Sequence, residues 1–337
     1  MLPNAEHIRE VAGVDPRALP DEVLESTEPL VLRGLAAGWP MVRAGLESQE
    51  SATTYLRRFY KDASVVVMSG DPAIGGRFFY NDDLSGFNFK MYRTRLDGVF
   101  GELSRFSGDV NAPSTYVSST TIDTVLPGFR AENDFNFGAR APVASIWIGN
   151  RTRIAAHHDL PDNLACVAVG HRRFTLFPPE QIDNLYVGPL EFTPAGQPIS
   201  LVDFARPDYE RFPRFAEALK AARVAELGPG DAILIPSMWW HHIESLDTFN
   251  VLVNYWWRQS PAHMDSPIGA LMLALMTVRD LPPAQRAAWE NLFRHYVFQA
   301  DDETAAHIPE RARRSLGPLD ANLVRELRAN VLARFNR

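Results

Sequence analysis

The chain has 337 residues, a formal net charge of −7, and a composition that is 46% hydrophobic and 11% aromatic. That much apolar material is enough for a large buried core. The acidic balance and the lack of a basic run argue against a nucleic-acid-binding surface, which needs clustered Lys and Arg to neutralise phosphates. The single cysteine, Cys166, excludes an internal disulfide, so we expect a reducing, cytoplasmic location.

The first third of the chain alternates helical and strand patterns. We expect short helices before residue 28 and a long loop or hairpin over 70–89, which is rich in Gly, Asp, Asn and aromatic residues. The N-terminus is polar and unlike a signal peptide, and the apolar pattern from Ile268 to Val278 is too short to cross a bilayer, so no membrane partner is expected. The spacing predicts strands at Pro29–Leu35 and Ala63–Met68, and helices at Ser51–Tyr60 and Arg95–Phe106.

Residues 143–258 alternate short apolar runs with turn residues, a pattern typical of a double-sheet jelly roll. A helical insertion is expected over 204–225. After Trp257 the β-branched runs stop and helical spacing takes over. We therefore predict a mainly β fold with helical additions, in which a double-stranded β-helix occupies the domain 1–262 and a helical region occupies 263–337.

Histidine and carboxylate side chains are predicted to meet in this barrel. Alternation along a strand sends residues i and i+2 to the same face, so His157 and Asp159 can converge on one point. The distant run 238–245 supplies a further histidine from an adjoining strand. Two histidines and one carboxylate are the ligand set of a non-haem Fe(II) site, which holds one face of the ion and leaves the other open for chemistry.

A His-x-Asp triplet alone is weak support in a chain with nine histidines. A second match, His263-Met264-Asp265, lies between prolines, where no regular strand would hold the side chains in fixed directions. His157 and Asp159 instead lead into the apolar runs 163–169 and 171–177, which predict a hairpin that turns at Gly170. This context favours the first pair.

The third ligand must be chosen from two adjacent histidines, His241 and His242. Alternation puts them on opposite faces of a strand, so only one can be a ligand without a bulge. The triplet His242-Ile243-Glu244 also offers a carboxylate variant of the motif. Residue types and spacing leave both histidines open.

These stretches resemble the cupin-like branch of the Jumonji-C oxygenases, which includes the asparaginyl hydroxylase acting on hypoxia-inducible factor. The similarity covers most of residues 28–258 and implies His157, Asp159 and His241 as catalytic metal ligands, Fe(II) as cofactor, and 2-oxoglutarate and O₂ as co-substrates. It also implies a homodimer, because the related hydroxylase dimerises through C-terminal helices. The motifs that carry it are AHHD from 156, Asn163, GHRRFTLFPPEQ from 170, PGDAILIPSMWWHHIESL from 229 and VNYWW from 253.

The same resemblance implies four residues that bind 2-oxoglutarate. Arg172 stands where the family generally has lysine, and with Tyr116 it would bind the distal carboxylate. Asn163 and Asn254 would bond the metal-bound end. A threonine that the family uses for the co-substrate is replaced here by Ile154. Arginine is longer than lysine and bidentate, so Arg172 could hold 2-oxoglutarate in a different pose or favour a shorter 2-oxo acid. We expect Arg172 on the inward face of its strand.

The predicted function is therefore an Fe(II)- and 2-oxoglutarate-dependent hydroxylase of a protein or peptide side chain, the substrate class most common in the family. The alternatives are a metal-binding cupin scaffold without turnover and a metal-dependent oxygenase or isomerase that uses no 2-oxo acid. A polypeptide substrate needs an open groove, whereas a small molecule needs a closed pocket. We expect segments 70–89 and 118–136 to decide between them.

Overall fold

A computed structural model describes residues 5–109 and 111–336, which divide into one unit ending at Arg258 and another beginning at Gln259. The strands of the first unit are β1 (Glu6–His7), β2 (Arg9–Ala12), β3 (Leu30–Arg33), β4 (Ser64–Gly70), β5 (Arg77–Phe78), β6 (Phe89–Arg95), β7 (Ser114–Thr121), β8 (Val143–Gly149), β9 (Arg153–His157), β10 (Asp162–Val169), β11 (Arg172–Phe177), β12 (Arg223–Leu227), β13 (Ala232–Ile235), β14 (Trp240–Ser245) and β15 (Asn250–Trp257).

Its helices lie mainly before the jelly roll, and those at Gln49–Arg57 and Leu96–Arg105 match helices that the sequence predicts. They are α1 (Asp21–Leu24), α2 (Pro40–Glu47), α3 (Gln49–Arg57), α4 (Leu96–Arg105), α5 (Ile122–Val125) and α6 (Phe215–Lys220). The α3 helix begins at a Ser48 cap, whose hydroxyl accepts a hydrogen bond from the Ser51 N–H. Such a cap satisfies one of the backbone donors that every helix start leaves unpaired.

Two sheets form the double-stranded β-helix. One has the order β1-β12-β11-β14-β9-β5, and the other has the order β2-β3-β13-β10-β15-β8-β7-β4-β6. Four strands of each sheet, β12-β11-β14-β9 and β13-β10-β15-β8, pair antiparallel and come from residues 143–257. The chain crosses between the sheets along this stretch, which is jelly-roll connectivity. The predicted fold class is confirmed.

The core lies on both sides of the larger sheet. Between the sheets, side chains such as Phe174, Leu176 and Ile233 form one apolar cluster, and a larger cluster joins the outer face to α2, α3 and α4. Each fully buried Phe or Leu contributes about 1.5–3 kcal/mol. All eight residues of β10 are buried, which explains why its sequence is a nearly continuous apolar run and does not alternate.

The predicted hairpin turns at Gly170, between β10 and β11. Its φ is +76°, in the left-handed region, and a Cβ there would lie 2.5 Å from Asn250 Oδ1. Glycine is needed for both reasons.

Two predicted elements differ from the structure. Before residue 28 the chain forms β1 and β2, which pair parallel with β12 and β3, and only the one-turn α1 is helical. Within 204–225 only the six residues of α6 are helical, because Pro207 and Pro213 interrupt the pattern.

The unit that begins at Gln259 is helical, as the sequence predicts after Trp257. A π-helical turn, Arg294–Phe298, follows its second helix. Within the described residues, none of the helices is both long enough and apolar enough to cross a membrane. The helices of this unit are α7 (Ile268–Thr277), α8 (Pro283–Phe293), α9 (Glu310–Arg313) and α10 (Ala321–Phe335).

Candidate metal centre

Three side chains converge at one end of the jelly roll. One ligand atom from each of His157, Asp159 and His241 lies within 4.8 Å of the others, and the described residues contain no second such group of His, Cys, Asp or Glu. Strands β9 and β14 pair antiparallel with His157 opposite His241, and the two ring centroids are 4.2 Å apart. His241 Nε2 is 3.7 Å from Asp159 Oδ2.

Asp159 lies beyond the end of β9, and not on the strand as simple alternation predicts. Its loop is fastened to the segment before β14. The Met238 N–H donates to Asp159 O over 2.9 Å, the Ser237 N–H donates to Asp162 Oδ1 over 2.9 Å, and the Ser237 hydroxyl donates to Leu160 O over 2.6 Å. Met238 adopts a φ of +68°, a conformation uncommon for residues with side chains. These bonds hold the carboxylate beside the histidines.

Each imidazole of the group is oriented by its own strand. Nδ1 of His157 lies 3.0 Å from Ala155 O, and Nδ1 of His241 lies 2.9 Å from Trp239 O. Because a carbonyl only accepts, each Nδ1 donates the hydrogen bond, which leaves Nε2 as the atom directed at the group, as in metal-binding histidines. Burial, with a smaller effect of His157, lowers the pKa of His241 to about 4. Its imidazole is therefore neutral at pH 7.

The structure separates the two adjacent histidines. The ring of His242 packs 4.6 Å from that of Phe204, on the opposite face of β14, and burial lowers the pKa of His242 to about 3. His241 alone joins the converging group. His263, from the second triplet, belongs to the unit that begins at Gln259 and is not one of the three.

Arg172 is a buried cation that pairs with no carboxylate among the described residues. Its side chain points inward from β11 with 1% exposure, and none of its guanidinium nitrogens has a hydrogen bond of normal geometry within the described residues. Burial lowers the pKa of Arg172 and raises the pKa of Tyr116, while the nearby guanidinium partly offsets the rise at Tyr116. A buried, unpaired charge is costly, so this position is suited to an anion that enters from outside.

Its neighbour Arg173 behaves differently. That side chain faces outward and pairs with Glu226 at 2.6 Å and Glu244 at 3.3 Å.

Strand register shows how far Arg172 lies from the metal group. Leu176 is opposite His241 and Arg172 is opposite Ser245, so Arg172 lies four residues, or roughly 13 Å, further along the strand than the metal group.

A cavity of about 350 Å³ opens onto His157, Asp159 and His241. Two asparagines in its wall belong to one network, because Trp147 Nε1 donates to Asn254 Oδ1 over 2.8 Å and Asn254 Nδ2 donates to Asn163 Oδ1 over 3.2 Å. Tyr116 and Ile154 line the same cavity. The structure thus brings together every residue that the sequence analysis singled out around the 2-oxo acid, with Arg172 adjoining the cavity through Tyr116.

One part of the wall was not anticipated from the sequence. Residues 194–199 line the cavity, yet they belong to an irregular stretch without a repeating pattern that could have marked them. The segment 70–89, expected near the mouth, holds this stretch in place. The Tyr80 hydroxyl donates to Phe192 O over 2.6 Å, and the Phe192 ring stacks on Phe87 at 4.7 Å.

The fold and the converging side chains define a double-stranded β-helix protein that presents two histidines and a carboxylate at the end of its barrel. The chain belongs to the cupin-like domain family, which it matches over residues 16–263.

Its curated relatives carry different names. It is 33% identical over 128 residues to lysine-specific demethylase JMJ31 of Arabidopsis thaliana, covering 36% of this chain and 23% of that protein. It is 31% identical over 169 residues to human HSPB1-associated protein 1, covering 47% and 33%. It is 32% identical over 106 residues to tRNA wybutosine-synthesizing protein 5 of Gallus gallus, covering 32% and 30%. The matches span a third or less of these relatives' own length.

Proposed function

We propose that this protein is an Fe(II)- and 2-oxoglutarate-dependent oxygenase that hydroxylates a protein or peptide side chain. The observation that carries the proposal is a cavity lined by the His-Asp-His group and by Tyr116, with the buried guanidinium of Arg172 next to the Tyr116 hydroxyl behind the cavity wall. A metal-binding scaffold needs only the first feature. A dicarboxylic 2-oxo acid needs both, because one carboxylate chelates the metal and the other must be paired inside the protein.

The donor set fits Fe(II). His157 and His241 would each offer Nε2 and Asp159 a carboxylate oxygen, which is the two-histidine, one-carboxylate facial set of non-haem iron oxygenases. All three side chains line the cavity, so an ion held by them would face it. Bound there, Fe(II) would supply the activation of O₂ that hydroxylation requires.

The other residues would bind and orient the 2-oxo acid. Arg172 would hold its distal carboxylate through parallel N–H···O bonds, with the Tyr116 hydroxyl as a further donor. The Asn163 side chain accepts a hydrogen bond from Asn254, which leaves its own amide N–H groups to donate to the metal-bound end. Ile154 contributes only apolar contact where the family has a hydroxyl, so in this protein Arg172 has the larger share of the binding.

An anaerobic titration tests the proposal. Adding 2-oxoglutarate to the Fe(II)-loaded protein should produce the weak visible charge-transfer band of a chelated 2-oxo acid. Pyruvate, which lacks the distal carboxylate, should produce it only at much higher concentration. Iron binding without any band would contradict the proposal and favour the scaffold alternative. A band that forms equally well with pyruvate would show that Arg172 does not bind the distal carboxylate of the 2-oxo acid.

We further propose that residues 1–262 form a catalytic domain and residues 263–337 a dimerisation region. The helical unit leaves many large apolar side chains exposed, more than isolated soluble helices usually do. A second copy of the chain would cover them. They include Leu271, Met276, Trp289, Leu292, Tyr296, Val297, Phe298, Leu332 and Phe335.

Sedimentation velocity at micromolar concentration should therefore show a dimer. Leu332→Asp places a charge on a side chain that is 56% exposed, so it should shift the protein toward monomer while leaving each protomer folded. Asn330→Asp adds the same charge on the same helix at a polar position and should leave the dimer intact. A wild-type protein that sediments only as monomer would exclude the dimer.

A further inference from the structure

We propose that a second cavity, separate from the one at the candidate metal centre, binds a small organic monocarboxylate with an apolar body. This cavity has a volume of about 460 Å³, and among the described residues the two cavities share no lining side chain. Strand β5 divides them. Phe78 lines the first cavity, whereas Arg77 and Phe79, on the opposite face of the extended chain, line the second. Binding here would not involve the metal group, so it would occur whether or not the protein is an oxygenase.

Arg77 supplies a partly buried cation to this second cavity. Its guanidinium carbon lies 3.6 Å from the centre of the Phe79 ring, so the ring covers one face of the planar group and leaves the N–H donors at its edge. One of these donors, on Nη2, bonds to Leu201 O over 3.2 Å. Within the described part of the chain, Arg77 forms no ion pair. Burial lowers the pKa of Arg77, and a partly desolvated charge of this kind favours an incoming anion.

The backbone around Arg77 is fixed by a neighbouring side chain. The Asn88 carboxamide accepts a hydrogen bond from the Phe79 N–H over 2.9 Å and donates one to Arg77 O over 2.9 Å. On the other side, β5 pairs parallel with β9, where Arg77 is opposite Arg153. The guanidinium is therefore carried by a segment that is held before a ligand arrives, which lowers the entropy cost of binding.

The aspartates near Arg77 are already engaged. Asp203 favours the charged form of Arg77 from a distance, but its Oδ1 accepts the Ala205 N–H over 3.0 Å and forms an ion pair with a different arginine at 3.1 Å. Asp208 Oδ1 accepts the Arg211 N–H over 3.0 Å, within its own turn. Neither carboxylate is placed to neutralise Arg77.

The charges around the cavity leave one positive charge in excess. Arg153, the partner of Asp203, adds a fourth cation to three arginines and three aspartates in the wall. One negative charge on a ligand would complete this balance. A phosphate monoester carries about two negative charges at pH 7 and would exceed it. The charged side chains that line the cavity are Arg77, Arg206, Arg211, Asp82, Asp203 and Asp208.

The rest of the wall determines the body of the ligand. Its uncharged polar side chains, Tyr80, Asn81 and Asn88, already form hydrogen bonds within the protein. The remaining wall is mainly apolar and gains by covering a hydrocarbon or aromatic group. A ligand that is apolar apart from its carboxylate therefore fits best. The apolar side chains are Ile74, Phe79, Leu84, Leu201 and Phe212.

Three probes with similar bodies and different charges test the proposal. At pH 7, 3-phenylpropionate carries one negative charge, 3-phenylpropionamide carries none and 2-phenylethyl phosphate carries about two. Isothermal titration calorimetry of the full chain measures the three dissociation constants. We expect the propionate to bind at least about tenfold more tightly than the amide, because only the propionate forms charge-assisted hydrogen bonds, and more tightly than the phosphate.

Two substitutions locate the site and test its charge balance. Arg77→Met should weaken the propionate at least about tenfold and leave the amide unchanged, whereas Arg173→Met, on an outward-facing side chain, should alter neither. Asp203→Asn keeps an oxygen for the Ala205 N–H and raises the positive excess by one. The phosphate should then become the more tightly bound of the two charged probes. This second variant gives a result even if Arg77→Met does not fold.

Equal affinities for the propionate and the amide would overturn the proposal, and so would propionate binding that Arg77→Met leaves intact. Tighter binding of the phosphate by the wild-type protein would refute the monocarboxylate class. A preference for the propionate that persists in Asp203→Asn would contradict the charge balance on which that class depends.

Discussion

Replacing His157 with alanine will abolish stoichiometric Fe(II) binding and, with it, all succinate formation from 2-oxoglutarate. The substitution removes one of the three proposed ligands. Neither of the other two can move inward to replace it, because His241 is fixed by the pairing of β14 with β9 and the Asp159 loop by its hydrogen bonds to Ser237 and Met238. Loss of an outer hydrogen bond to a metal ligand typically costs 10- to 100-fold in affinity or activity. Loss of the ligand itself should exceed about 1,000-fold. Metal analysis after gel filtration and a succinate assay measure the two effects.

The adjacent histidines give this experiment its matched control. His241→Ala should reproduce the loss of iron, whereas His242→Ala should retain iron, because the His242 ring packs on Phe204 away from the metal group. His242 is buried, so its loss will lower the melting temperature somewhat without emptying the site. If His242→Ala lost iron while His241→Ala kept it, the assignment of His241 as the third ligand would be contradicted.

Replacing Arg172 with methionine will separate co-substrate binding from metal binding. The variant should bind Fe(II) normally, but its dissociation constant for 2-oxoglutarate should rise by roughly 30- to 1,000-fold, since a buried charge pair lost on one side costs about 2–4 kcal/mol. The stability of the protein without co-substrate should increase, even though its affinity for 2-oxoglutarate falls. In the protein without co-substrate this guanidinium is buried and faces no carboxylate in the described part of the chain, so an apolar side chain of similar length removes the cost of burying the charge. Titration by the charge-transfer band and thermal unfolding without ligand measure the two quantities.

The neighbouring arginine is the control. Arg173→Met breaks pairs with Glu226 and Glu244 that are partly exposed, and such surface pairs contribute about 0–1 kcal/mol. Its affinity for 2-oxoglutarate should be unchanged. If Arg172→Met kept wild-type affinity, or if it simply destabilised the protein without co-substrate, Arg172 would be a structural residue and not an anion anchor.

Much of the fold could be predicted from local patterns. Apolar runs punctuated by Gly170 predict β10 and β11, and the turn-rich spacing over 143–258 predicts the jelly roll. The N-terminal strands β1 and β2 escaped prediction because they are two and four residues long and exist only by pairing with β12 and β3. Short edge strands carry too little pattern of their own to outweigh nearby helical signals.

The structure brings together the residues predicted for the candidate site, but the sequence did not predict their geometry. His157 lies at the last residue of its strand, and Asp159 reaches the metal group through a loop held by Ser237 and Met238, which alternation cannot describe. The choice between His241 and His242 depends on which face of β14 looks inward, and the spacing of residues alone left it open. Residues 194–199 lack any repeating pattern. The cytoplasmic location stays a prediction from the single cysteine.

The mouth segment 194–199 is fastened differently from the rest of the wall. Strand pairing holds the metal group, whereas this segment is held at its start by the stack of Phe192 on Phe87 and the phenol hydrogen bond from Tyr80, and at its end by the hydrogen bond from the Gly188 N–H to Ile199 O. Local opening draws on the least stable contacts of a protein, and these can break while every barrel strand stays paired. If the protein hydroxylates a polypeptide as proposed, opening at the Phe192 end of this segment would admit and release it, and the turnover rate would then depend on the lifetime of the Phe192–Phe87 stack as well as on the chemistry.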